Sequence, residues 1–96
     1  EILRQLEVAG LCPPGEAPAY VHDVGIGEGS PVPVNPDGGL LSYSHIGWGG
    51  PTLKVVEAVH QLRGEAGERQ VTDAEVALVT GAGSGAQYHN TLLLGA

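Results

Sequence analysis

The 96-residue chain has four Lys or Arg against eleven Asp or Glu, a formal net charge of −7 at neutral pH. This balance excludes charge-driven binding to nucleic acid or an anionic membrane. The one cysteine, Cys12, excludes an internal disulfide and any two-cysteine metal motif. No apolar run is long enough to span a bilayer.

Sixteen glycines and seven prolines fill about a quarter of the chain, twice the usual share, and Phe and Met are absent. Ala, Val and Leu bury little area each, so the core inventory is thin for a domain of this size. The chain opens on Glu1 with Ile2 and Leu3 already in an apolar pattern. We therefore expect one domain over residues 1–96, continuous with a longer chain upstream. No basic stretch followed by an apolar one marks a leader, and a cytoplasmic location is the default expectation.

Ile2, Leu3, Leu6 and Ala9 recur at helical spacing and predict a helix over residues 1–9, stopped by Gly10. Pro13-Pro14-Gly15 forces a turn. Residues 19–24, AYVHDV, are short and partly alternating, and read as a strand or an extended connection. Residues 25–39 are rich in Gly and Pro without periodicity, and read as a functional loop.

The strongest helical signal covers residues 51–63. Pro51 suits the first turn and Gly64 the stop. Leu53, Val56, Val59 and His60 share the predicted apolar face, with Lys54, Glu57 and Gln61 outside it. Residues 75–80 and 87–94 read as strands joined by the turn GAGSGA, an antiparallel pair. The order helix, loop, helix, strand, strand gives an α/β or α+β class.

GAGSG follows a strand, as dinucleotide-binding turns do. Its spacing is wrong for that role and a strand follows it, so no helix N-terminus is available to hold a pyrophosphate. Close approach of a ligand to backbone is the better reading of these glycines. The four histidines have no ligand spacing, and no metal is expected. His22 beside Asp23 reads as surface, His60 as a core histidine, and Cys12 as a buried small residue. His89 stays open. His45 stands between the rigid N-P-D-G-G turn and G-W-G-G, where it could hold an oxyanion or move a proton. A purely structural role for it is equally open.

The strings LEVAGLCPPGE, PVNPDGGLLSYSHIG, EAVHQLRGEAGERQV and a glycine-rich turn between two strands occur in this order. This series resembles the C-terminal end of the thiolase superfamily. It is most similar to the branch of sterol carrier protein x thiolases and bacterial lipid-transfer-protein homologues. The resemblance covers nearly the whole chain, and QLRGEAGERQV and VNPDGGLLS are its most specific parts.

The resemblance implies an α/β fold, the C-terminal half of a layered sandwich with a mixed five-stranded sheet in each half. It implies action on acyl-coenzyme A thioesters, making or breaking a carbon–carbon bond, with coenzyme A entering as part of the substrate and no cofactor. The N-terminal half of the fold would carry the nucleophilic cysteine. A homodimer and a small OB-fold partner protein are further implications.

The family's G-H-P loop falls on Ser44-His45-Ile46, keeping only the histidine, which would help bind the thioester oxygen. Its C-x-G loop falls on Gly81-Ala82-Gly83, so the acid/base cysteine is missing; the resemblance implies that, as in the sterol carrier branch, an upstream cysteine takes over. Gly39, Gly81 and Gly83 would then let substrate approach backbone. Tyr43 stands two residues before His45. Some lipid-transfer homologues are retro-aldolases that use tyrosines, and Tyr43 could serve there as a proton-transfer group. Packing under the loop is its plainer role. Thiolytic acyl transfer, retro-aldol cleavage and a non-catalytic scaffold or partner-binding domain are the readings the sequence leaves open.

Overall fold

The computed structural model describes residues 1–43, 45, 49–83 and 87–96. Its elements are α1 (Ile2–Val8), α2 (Ala17–Asp23), α3 (Leu40–Tyr43), α4 (Gly50–Leu62), a 3-10 turn (Gly67–Arg69), β1 (Val76–Gly83) and β2 (Tyr88–Gly95). They fall into two compact units, Glu1–Val34 and Asn35–Ala96. The chain is therefore α/β; the helix, strand, strand order that the sequence predicts from Pro51 onward is present, and the short helix α3 is an addition to it.

In the first unit α1 and α2 pack around Leu6, Cys12 and Ala17, with Leu11, Tyr20, Val21, Ile26 and Val34 against them. Residues 19–24 are helical, which corrects the extended reading. Pro18 lies in the first turn of α2, where its missing N–H costs nothing. Ala17, Tyr20 and Val21 form an i, i+3, i+4 face that the short alternation of AYVHDV conceals. The α2 N-terminus is closed from α1: the Ala17 N–H donates to Glu7 Oε1 at 3.2 Å. A carboxylate there satisfies an end group and suits the helix dipole.

In the second unit α4 lies against both strands. The strands pair antiparallel, with Val79 opposite Leu92 and Gly81 opposite Asn90. The turn residues 84–86 lie outside the described residues. Ala77, Val79 and Gly81 share the face of β1 that packs inward, while Val76 and Leu78 are exposed. Helix α4 ends as Gly64 predicts. Gly64 has φ +71°, its N–H donates to the Gln61 carbonyl at 3.2 Å, and the Glu65 N–H donates to His60 at 2.9 Å. This left-handed closure suits glycine.

The predicted apolar face of this helix is only partly right. Glu57, Ala58 and Gln61 are buried, and Val56 is 43% exposed. The polar side is covered because residues 66–71 fold back over it. Gln61 Nε2 donates to Glu57 Oε1 at 2.8 Å and to the Arg69 carbonyl at 2.9 Å. Gln61 Oε1 accepts from the Val71 N–H at 2.8 Å. Arg69 grips Glu57 through Nε and Nη2 at 2.8 to 3.0 Å, the two-pronged geometry that only arginine provides. Lys54 does not point away either, since its Nζ reaches the Thr80 carbonyl of β1 at 3.4 Å.

Candidate functional site at the start of helix α4

The N-P-D-G-G turn is built by side chain and backbone together. Asp37 Oδ1 accepts from the Gly39 N–H at 2.9 Å, and the Gly38 N–H donates to the Asn35 carbonyl at 2.8 Å. Gly39 is buried and has φ +69°, a conformation that a side chain would strain. A Cβ there would also sit 3.2 Å from Asn35 Nδ2. Leu40 then begins α3, and its side chain lies over Gly50 at the start of α4, 3.4 Å from where a Cβ would be.

Tyr43 is the last residue of α3; its side chain lies outside the described part, as do Ser44 and Ile46–Trp48. His45 is exposed. Gly50 contacts Leu40 from the turn. The next residue, Pro51, joins Thr52, Val55, Val79, Thr80, Gly81, Asn90, Thr91 and Leu92 around a concavity of about 370 Å³. The turn holding Gly39 and the cavity holding Gly81 thus meet at the first residues of α4. Gly83 is exposed at the end of β1, where a Cβ would meet nothing within 4 Å. Of the three glycines, Gly39 and Gly81 are the ones the fold keeps free of side chains.

The remaining histidines lie elsewhere. His22 pairs with Asp23 at 2.7 Å on the exposed side of α2. His60 is half-buried on α4, and His89 is exposed on β2. Among the described residues no three His, Cys, Asp or Glu side chains group as metal ligands do. Burial pushes the Cys12 thiol up, and Glu7 and Glu16 push it further, so it stays protonated and poorly nucleophilic. No described helix is long and apolar enough to cross a membrane.

Further along α4 stands the polar clasp of Glu57, Gln61 and Arg69. Burial pushes the Glu57 carboxyl up, but hydrogen bonds from Arg69 and Gln61 and attraction to Arg69 and His60 outweigh it, and its pKa lies below the ordinary value. The bonds to Glu57 raise Arg69 in turn, with Asp37 of the N-P-D-G-G turn adding to the effect. Sequence reasoning missed Glu57, Gln61, Thr52 and Asn90. The string GERQV carried a signal for the clasp, an arginine and two possible backbone-bonding groups just past a helix stop. Asn90 had none, because only strand register sets it opposite Gly81.

The family model described as "Thiolase C-terminal domain-like" matches residues 1–96. The chain belongs to this family. Sterol carrier protein 2 of Rattus norvegicus is 42% identical over 83 residues, which cover 86% of this chain and 15% of that protein. The 17-hydroxy-3-oxo-4-pregnene-20-carboxyl-CoA lyase of Mycobacterium tuberculosis is 38% identical over 92 residues, 95% of this chain and 22% of the lyase. Benzoylsuccinyl-CoA thiolase subunit BbsB of Thauera aromatica is 36% identical over 91 residues, 93% of this chain and 23% of the subunit. The chain thus spans 15% to 23% of the length of these relatives. No solved structure matches it significantly. The branch indicated by VNPDGGLLS and QLRGEAGERQV is the one these relatives represent.

Proposed function

We propose that this chain is the C-terminal portion of an acyl-CoA enzyme of the lipid-transfer-protein type, which makes or breaks a carbon–carbon bond next to a coenzyme A thioester. The observation that carries the reading is the family match over residues 1–96, together with relatives named as a thiolase and a lyase of CoA thioesters. In this reading the substrate reaches the start of α4 between the Gly39 turn and the Gly81 cavity.

His45 directs an imidazole N–H at the thioester oxygen, where negative charge develops as the bond breaks. A donor so placed is worth about 10²- to 10³-fold in rate. In a retro-aldol reaction the β-hydroxyl loses its proton and the carbon–carbon bond breaks. The electron pair moves to the α-carbon and the thioester oxygen, and a proton later returns to the α-carbon. Tyr43 takes or relays the hydroxyl proton. In a thiolytic reaction an upstream cysteine and His45 divide that work. Gly81 stands where an acid/base cysteine would be, so in either reaction the proton transfer falls to another residue.

The rest of the assembly belongs to the same proposal. The layered sandwich would cover the face of β1 and β2 that carries Val76, Leu78 and Leu93, which are 46% to 68% exposed in the chain, and the five-stranded mixed sheet would add strands at their edges. The N-terminal half of the fold, a second copy of the enzyme and a small OB-fold protein are the partners proposed, and the cytoplasm the location. The test is turnover by the full-length protein of a β-hydroxyacyl-CoA against a β-ketoacyl-CoA with free coenzyme A. Cleavage of either supports the enzyme reading and says which reaction runs. Cleavage of neither, with acyl-CoA bound unchanged, would refute it in favour of a non-catalytic scaffold.

A further inference from the structure

Gly81 is buried in β1, and its backbone is not in the left-handed region. Nothing in its conformation therefore calls for glycine. The space beside it does. Asn90 is its cross-strand partner, and paired residues put their side chains on one face of the sheet. A Cβ on Gly81 would run into Asn90 Oδ1, with Asn90 Cγ at 3.3 Å and Nδ2 at 3.4 Å. The carboxamide of Asn90 thus occupies the volume that a side chain at position 81 would fill.

The same face carries Val79 and Leu92, which line the cavity of about 370 Å³ with Pro51, Thr52 and Val55. The lining is mostly apolar, and its polar side chains are those of Thr52, Thr80 and Thr91 and the carboxamide of Asn90, which offers both a donor and an acceptor. Among the described residues it has no hydrogen-bond partner. A mostly apolar cleft with a carboxamide beside the glycine strand suits a hydrocarbon ligand that carries an oxygen.

We infer that Asn90 is a substrate-binding residue, its carboxamide holding the oxygen on the β-carbon of an acyl thioester. The inference rests on the proposed reaction class, in which the bond broken lies between the α-carbon and a carbon bearing that oxygen. A carboxamide donates to a ketone and accepts from a hydroxyl, and it does not transfer protons near neutral pH. Asn90 therefore selects and orients the substrate while the proton transfer is done elsewhere.

The test measures dissociation constants of the full-length protein by calorimetry for a β-hydroxyacyl-CoA and the saturated acyl-CoA of equal length. Asn90→Ala should weaken the hydroxylated ligand by about 3- to 10-fold, the effect of one lost neutral hydrogen bond, and leave the saturated ligand within about 2-fold. The saturated ligand reports that the fold is intact. Asn90→Asp, which keeps the shape and the acceptor but loses the donor, should weaken a β-ketoacyl-CoA more than the hydroxylated one. Equal weakening of both chains, or no change with either variant, would overturn the inference while leaving the enzyme reading standing. A wild-type protein that binds neither ligand would overturn both.

Discussion

The side chain of Gln61 ties the return segment to α4, and replacing it should cost more than its place in the sequence suggests. Gln61→Met keeps the length and much of the volume of the side chain and removes its polar atoms. Three hydrogen bonds disappear, those with Glu57 Oε1, the Arg69 carbonyl and the Val71 N–H. Glu57 keeps the Arg69 guanidinium, so the loss falls on the two backbone groups. Gln61 itself is 5% exposed, and each buried polar group left unsatisfied costs about 1 to 3 kcal/mol. The sum is about 2 to 6 kcal/mol of stability, trimmed toward the lower end by whatever water reaches the part-buried segment.

Urea denaturation of the full-length protein measures this loss. Hydrogen exchange gives a local reading, in which protection of the Val71 amide should fall by about 30-fold or more. Val56→Gln on the same helix is the control, because Val56 is 43% exposed; it should stay within about 0.5 kcal/mol of wild type. A Gln61→Met protein as stable as wild type, beside a Val56→Gln protein that is destabilised, would show that the helix packs by its sequence-predicted face and would refute this account.

In the full-length enzyme His45→Ala should lower kcat by about 10²- to 10³-fold with a smaller effect on KM; near-normal turnover would make the loop structural. Tyr43→Phe should cost about 10²- to 10⁴-fold in kcat on a β-hydroxyacyl-CoA and little on a β-ketoacyl-CoA; equal effects on both would remove its assigned role. The Glu57 carboxyl has a folded pKa below its ordinary value of 4.5, so its contribution to stability is complete above that pH and is lost as pH falls through the folded value. Glu57→Gln should flatten the acid limb of a stability–pH curve, and an unchanged limb would contradict the assignment. The isolated 96 residues should unfold without a cooperative transition of several kcal/mol, given the small core around Leu6 and Ala17.

Local signals settled a good part of this chain. Helix α4 was legible because Pro51 and Gly64 mark its ends and its apolar spacing runs for three turns. The hairpin was legible because β-branched and leucine-rich strands flank a glycine turn. The family was legible in VNPDGGLLS and QLRGEAGERQV, strings long enough to exclude chance, and they brought Gly39, Tyr43, His45 and Gly81 forward as candidates. Short segments were less secure. In AYVHDV two periods compete over six residues, and the contacts of Tyr20 and Val21 with α1, not propensity, decide for the helix.

Three-dimensional contact decided the rest. No sequence period says that residues 66–71 return over the polar side of α4, so Glu57 and Gln61 read as solvent-facing until Arg69 and Val71 cover them. Nor does the chain say locally that Asn90, nine residues beyond Gly81, lies across from it. A one-residue shift in strand pairing would turn that carboxamide to the other face. Sequence alone determined α1, α4, the β1–β2 pair and which family the chain joins, because those depend on neighbours along the chain. The tertiary structure alone determined which polar groups are buried and what fills the space beside Gly81, because those depend on residues that only folding brings together.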